Sequence, residues 1–274
     1  MGSKTEWEKR AIFLAAVCGQ TYAQYANPDG SFIVPANYSP VHTIRAKSFL
    51  DDWEPFGFII ESPQEIIVAF RGTSSANDWI SDVIASQMKF DPLGGNCLSH
   101  RGFTDIYSST RNGIMSALAK LTSGKPLTVT GHSLGAALAT LCAADIADNT
   151  GSNAPALFTF GSPRVGDPDF AKTFAKQVPE SYRIANVFDI VTYVPPAVYK
   201  LPKREKTYYY QHIQAQSSLS FQNGDFGRNH VISSYFAELS KLQPEYTESL
   251  CLENPGFCPV TEEKPKKAEK SYAQ

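Results

Sequence analysis

Ser133 stands in Gly131-His132-Ser133-Leu134-Gly135, and a serine flanked by glycines at this spacing is a candidate nucleophile for acyl transfer. Three such fixed positions arise by chance in roughly one chain in ten of this length, so the flanking residues decide the reading. Upstream, Leu127-Thr128-Val129-Thr130 has the composition of a short strand, and downstream Ala136-Ala137-Leu138-Ala139 opens an Ala/Leu helix. Strand, tight turn and helix in that order lift a serine hydroxyl out of the backbone at a strained turn. The glycines follow from the crowding there, since side chains at 131 or 135 would run into the neighbouring strand or helix. The helix also directs N–H groups and the positive end of its dipole toward charge growing on a substrate oxygen. The competing reading is a Gly-Ser loop that only caps a helix.

The stretch Val129-Thr130-Gly131-His132-Ser133-Leu134-Gly135 resembles the nucleophile turn of the α/β-hydrolases, and within them the class 3 lipases. Four further segments resemble that family's words in the same order: Phe70-Arg71-Gly72-Thr73 with Asn77-Asp78-Trp79-Ile80-Ser81-Asp82, then His100-Arg101-Gly102-Phe103, then Phe160-Gly161-Ser162-Pro163-Arg164-Val165-Gly166, then Asn186-Val187-Phe188-Asp189-Ile190-Val191. The resemblance runs over about residues 56–242. It implies a serine ester hydrolase without cofactor or metal. It also implies an α/β fold with a mostly parallel central sheet, helices on both faces and a short helical lid.

A serine hydroxyl needs an imidazole to take its proton, and the imidazole needs a carboxylate to hold its tautomer and balance its charge. In this fold the chain order is serine, acid, histidine. Only His212 and His230 follow Ser133. His212 lies in an apparent strand, Tyr210-Gln211-His212-Ile213, and reads as structural. His230 follows the loop Asn223–Asn229 and opens a helix, so it is the candidate base, and with Tyr235 it fits the family's terminal His-x-x-x-x-Tyr pattern. Among the carboxylates between them, Asp145 and Asp148 fall on the helix leaving the nucleophile, and Asp167 and Asp169 read as helix-start residues. Asp189 stands just past a strand ending at Val187-Phe188, at the carboxyl edge where parallel sheets collect catalytic groups, and is the candidate acid. His132 and His100 precede the serine or adjoin it and read as structural.

The oxyanion formed during attack needs preorganised donors. The backbone N–H of Leu134 is one, and resemblance implies the N–H and hydroxyl of Thr73 as another, with Asp82 holding that hydroxyl. Residues 77–86 place Trp79, Ile80, Val83 and Ile84 on one helical stripe opposite Asn77, Asp78, Ser81 and Asp82. The stripe alone fits a surface helix equally well, and the resemblance makes it a lid that turns its apolar face to lipid.

Stepping outward, residues 5–26 predict a helix, and 31–54 an irregular stretch. Phe56–Ile60 and Glu65–Phe70 predict two strands joined at Ser62-Pro63-Gln64. A helix over Asp105–Leu121, the strand and helix around Ser133, a strand Ala156–Phe160, a helix near Pro168–Lys176 and a strand Tyr182–Val187 repeat the alternation that builds a parallel sheet. A further strand over Thr207–Gln214 and a last amphipathic helix over Val231–Leu242 complete a single domain, 1–260. Residues 261–274 are a charged, solvated tail.

The 274 residues carry a net charge of −2 and 42% hydrophobic residues, so the chain builds a core and offers no field to gather nucleic acid. No apolar run reaches the ~18 residues of a membrane span. Glu6 and Glu8 argue against a signal peptide at residues 9–17, and Met1-Gly2-Ser3 has the look of a cloning remnant, which leaves a native leader open. Secretion is implied by the resemblance alone. Of the five cysteines, Cys18 and Cys142 read as buried apolar groups. Cys251 and Cys258 bracket Pro255-Gly256, a turn that leaves a disulfide and two free thiols equally open. The expected activity is acylglycerol hydrolysis at a lipid–water interface. Soluble carboxylesterase, phospholipase A1 and feruloyl esterase chemistry are alternatives, as is a lipid-binding fold without activity. Oligomeric state is not readable.

Overall fold

The architecture follows from short apolar strands that are buried on both faces and so require helices above and below. The computed structural model describes residues 3–48, 52–73, 86–121, 124–150, 154–200, 206–214 and 216–260. In chain order its elements are α1 (Lys4–Ala26), β1 (Ser39–Lys47), β2 (Trp53–Glu61), β3 (Ile66–Phe70), β4 (Gln87–Lys89), β5 (Leu98–His100), α2 (Arg101–Leu118), β6 (Leu127–His132), α3 (Leu134–Asn149), β7 (Ala156–Phe160), α4 (Pro168–Gln177), β8 (Ser181–Asn186), β9 (Val198–Lys200), β10 (Thr207–Tyr209), β11 (Gln216–Leu219), α5 (Ile232–Ser240) and α6 (Pro244–Glu253).

One sheet runs in the order β1-β2-β3-β6-β7-β8-β11. The first two pairings are antiparallel, and from β3 onward every pairing is parallel. Successive residues of β3 alternate between two cores. Ile66, Val68 and Phe70 join Phe103, Ile106 and Tyr107 of α2, Leu138 and Leu141 of α3, and Phe170 and Phe174 of α4. Ile67 and Ala69 join Ile12 and Leu14 of α1, Tyr235 and Phe236 of α5, and Leu250 of α6. This is the α/β-hydrolase layering expected from the strand-helix rhythm.

Several element limits differ from the sequence expectation. Residues 39–47, read as irregular, form edge strand β1, in which only Ile44 and Ala46 are buried, too sparse a pattern to announce a strand. The tyrosine run yields only the short β10, paired with β9 away from the main sheet. The sheet's true last strand is the polar β11, and His212 lies between the two strands. Helix α6 begins at Pro244, beyond the helix over Val231–Leu242 that was expected to be the last. No described helix is long and apolar enough to cross a membrane.

Cys251 and Cys258 are bridged, Cα atoms 5.6 Å apart. The bridge presents Phe257, fully buried, to the ring of Phe13 at 5.7 Å, and Gln20 donates to the carbonyls of Gly256 and Phe257 at 3.0 and 2.8 Å. The C-terminal segment is thereby fastened to α1. Cys18 and Cys142 are fully buried, and burial pushes the Cys18 thiol up to about 12.

Candidate active site

Ser133 follows the central strand β6 and caps α3 with φ 59° and ψ −128°, a left-handed backbone that a residue with a side chain adopts only where its surroundings enforce it. The enforcement is steric. A Cβ on Gly131 would stand 2.2 Å from the Gly135 carbonyl oxygen, and one on Gly135 would stand 2.3 Å from that of Phe70. The turn therefore folds against β3 at a separation only glycine permits. Leu134 begins α3, where the first backbone N–H groups lack intrahelical acceptors.

Asp189 follows β8 and caps the short helical turn Ile190–Tyr193, with Val191 N–H donating to its Oδ1 at 2.9 Å. His230 lies next to Val231, the N-cap of α5, its backbone N–H bonded to the Gly227 carbonyl. The structure brings the three side chains together. Nε2 of His230 lies 2.7 Å from Ser133 Oγ, and its Nδ1 lies 2.7 Å from Asp189 Oδ2. All three are buried, at 1%, 0% and 3% exposure for Ser133, Asp189 and His230, so the contacts act in a medium that screens them weakly. Gly161, at φ +57°, passes beside this pair, and a Cβ there would lie 2.8 Å from Asp189 Oδ2 and 3.2 Å from His230 Nδ1.

Three buried residues hold the arrangement, of which the sequence reading had passed over Asn186. Asn186, fully buried, donates to the carbonyls of Phe221 and Asn229 at 3.0 and 3.1 Å and accepts from Phe221 N–H, which fastens both ends of the loop carrying His230. The Tyr235 hydroxyl donates to Asp189 Oδ2 at 2.6 Å and accepts from Asn186 N–H at 3.0 Å. His132 is structural, as its position before the nucleophile implies, but its contacts reach further than expected. Its Nε2 donates to the His230 carbonyl at 2.6 Å, and its Nδ1 lies 2.7 Å from the hydroxyl of Tyr22 on α1. Burial, and then the adjacent His230, hold His132 well below the ordinary imidazole range, so it stays neutral.

Thr73 is half-buried at the end of Arg71-Gly72, and Gly72 lies so near the nucleophile that a Cβ on it would stand 2.8 Å from Ser133 Cβ. The segment is anchored twice. Gly72 N–H donates to Tyr22 Oη at 3.2 Å, and the buried Arg71 guanidinium donates to the carbonyls of Pro55 and Gly72 at 3.0 and 2.7 Å. That cation pairs with Glu54 at 3.1 Å and lies 3.8 Å from the ring centre of Tyr25. Asp82 and the stripe Trp79, Ile80, Val83 and Ile84 lie outside the described residues.

The two other candidate histidines take no part in the cluster. His100 caps α2 through Nδ1, which accepts from Phe103 N–H. His212 donates through Nε2 to the Thr192 carbonyl at 2.8 Å. Asp145 lies fully buried in an ion pair with Arg111, with Tyr107 also donating to it. Asp167 caps α4.

Residues 67–199 match the family model described as lipase (class 3). A lipase of Rhizomucor miehei is 36% identical over 145 residues, 51% of this chain and 40% of that protein. A chloroplastic phospholipase A(1) of Arabidopsis thaliana is 35% identical over 163 residues, 52% of this chain and 36% of that protein. This chain thus spans less than half the length of these two curated relatives. Among solved structures, lipase II from Rhizopus niveus superposes with a TM-score of 0.61 at 26% identity, over 71% of this chain and 77% of that one. Sheet order, nucleophile turn and sequence matches coincide on one segment of chain, and over residues 67–199 the protein matches the class 3 lipase family.

Proposed function

We propose that the protein is a carboxylic ester hydrolase whose main substrates are acylglycerols, triacylglycerols among them. The observation that carries this reading is the unbroken buried chain from Ser133 Oγ through the His230 imidazole to Asp189. In the proposed reaction, His230 Nε2 takes the Ser133 proton as Oγ attacks the ester carbonyl, while Asp189 balances the imidazolium. The oxyanion is received by the Leu134 N–H and by Thr73, and one such donor is typically worth ~3 kcal/mol of barrier. The proton then passes from His230 to the departing alcohol, leaving an acyl group on Ser133. Water, deprotonated by the same imidazole, releases the acid and restores the serine.

Release of fatty acid from a trioctanoin or triolein emulsion, with fluorophosphonate labelling followed by peptide mapping, tests the reading. The expected outcome is an adduct on Ser133 and turnover lost in Ser133→Ala. Full turnover in that variant, or an adduct elsewhere, would overturn it.

A second reading is phospholipase A1 activity, supported by two relatives that bear that name at 35% and 34% identity. Release of the sn-1 acid from phosphatidylcholine vesicles, set beside triolein hydrolysis at equal enzyme, separates the two.

A further inference from the structure

Asp189 has two oxygens and three donors, and they are shared unequally. Oδ1 takes only Val191 N–H, whereas Oδ2 takes both His230 Nδ1–H at 2.7 Å and Tyr235 Oη–H at 2.6 Å. The direction of the tyrosine bond is fixed, because Asn186 N–H already donates to Oη and sends the hydroxyl proton toward the carboxylate. The ring cannot drift. It is fully buried, with Phe221 edge-on at 5.4 Å and Phe160 and His132 at 6.5 and 6.0 Å.

We propose that Tyr235 is a positioning residue that sets the basicity of His230: its hydroxyl competes with the imidazole for the same carboxylate oxygen. This rests on the hydrolase reading above. A donor on Oδ2 withdraws part of the charge that would otherwise stabilise the imidazolium, and so keeps the base free at lower pH. The other ionisable groups around the pair come from separate elements. His132 on β6 faces His230 with ring centres 4.6 Å apart and stays neutral, and Arg183 on β8 acts on Tyr235 at longer range. Burial, and then the Asp189 charge, hold the Tyr235 hydroxyl well above the phenol range, so it remains a donor at every pH of interest.

The test is the acid limb of kcat/KM on a soluble p-nitrophenyl ester. In Tyr235→Phe the limb should move to higher pH by about half a unit or more, whereas a merely structural loss lowers the rate equally at all pH. Replacing Tyr235 with 3,5-difluorotyrosine, a stronger donor of nearly the same shape, should move the limb the opposite way and remains informative if the phenylalanine variant folds poorly. An unmoved limb in the difluorotyrosine protein overturns the proposal. Titration of the His230 ring by NMR in the Ser133→Ala background reads the same shift without turnover. A shift there with no ester hydrolysis by the unmodified enzyme would refute the hydrolase reading while leaving the Tyr235–Asp189–His230 relationship intact.

Discussion

The hydroxyl of Tyr22 lies 2.7 Å from Nδ1 of His132, and its proton points toward that nitrogen. The other ring nitrogen faces the His230 carbonyl, which can only accept, so Nε2 carries the ring proton and Nδ1 is left with a lone pair. The phenol oxygen in turn accepts from Gly72 N–H. A directed relay thus joins the backbone beside Thr73, the first helix, the residue before the nucleophile and the backbone of the base.

Tyr22→Phe removes two bonds from that relay while leaving the ring in place. Because the lost hydroxyl supports both the Gly72-Thr73 segment and His132, kcat/KM on a soluble ester should fall about tenfold, the equivalent of roughly one buried hydrogen bond. The melting temperature should fall as well, by a few degrees, because two buried groups lose their partner. Steady-state kinetics beside calorimetry check this, and unchanged kinetics would count against the relay.

Gly161→Ala should be far more harmful than its one added carbon suggests. At φ +57° the new side chain is strained by about 1–2 kcal/mol, and its Cβ falls 2.8 Å from Asp189 Oδ2. Displacing the acid from the base predicts a loss of about a hundredfold in kcat. KM on p-nitrophenyl butyrate should change much less.

Acid should destabilise the fold through its buried imidazoles. Burial pushes His100 down to about 4, and burial with the neighbouring Arg183 pushes His212 down to about 3. Unfolded chain protonates these rings near 6.5. Below that pH the unfolded state takes up protons the folded state refuses, so stability falls with pH, by about 1.4 kcal/mol per unit for each ring. For His100 the slope persists down to about pH 4. Melting curves of the Ser133→Ala protein between pH 7 and 4 should show the decline, and His100→Asn, which still caps α2, should make it shallower by one ring's share.

Removing the Cys251–Cys258 bridge as a double serine variant should cost about 2 kcal/mol, the closure entropy of a loop this short. The melting temperature should drop, and reductant should reproduce the drop in the unmodified protein. Because the bridge holds Phe257 against α1, inactivation on heating should begin earlier too.

The nucleophile turn was legible because its constraint is local: two glycines, a strand before and a helix after. His230 stood out by position, since only two histidines follow Ser133. Tyr22 and Asn186 gave no such signal. Tyr22 lies in an Ala-rich helix more than a hundred residues from His132, and Asn186 serves as a fastening for Phe221 and Asn229 only once β8 lies beside β11. Edge strands β1 and β11 were invisible for a related reason. Each buries too few residues to print the alternation by which strands are recognised.

The loop from Phe221 to His230 is moored at both ends, by Asn186 at Phe221 and Asn229 and by His132 at the His230 carbonyl. Between them Gly227 also accepts from His230 N–H and Asn229 accepts from Asn223 N–H, so the residues next to the base are braced and the crest stands clear of it. Phe226 at the crest is 63% exposed, so a new side chain there changes what the protein touches while the moorings keep the chemistry beneath it in tune.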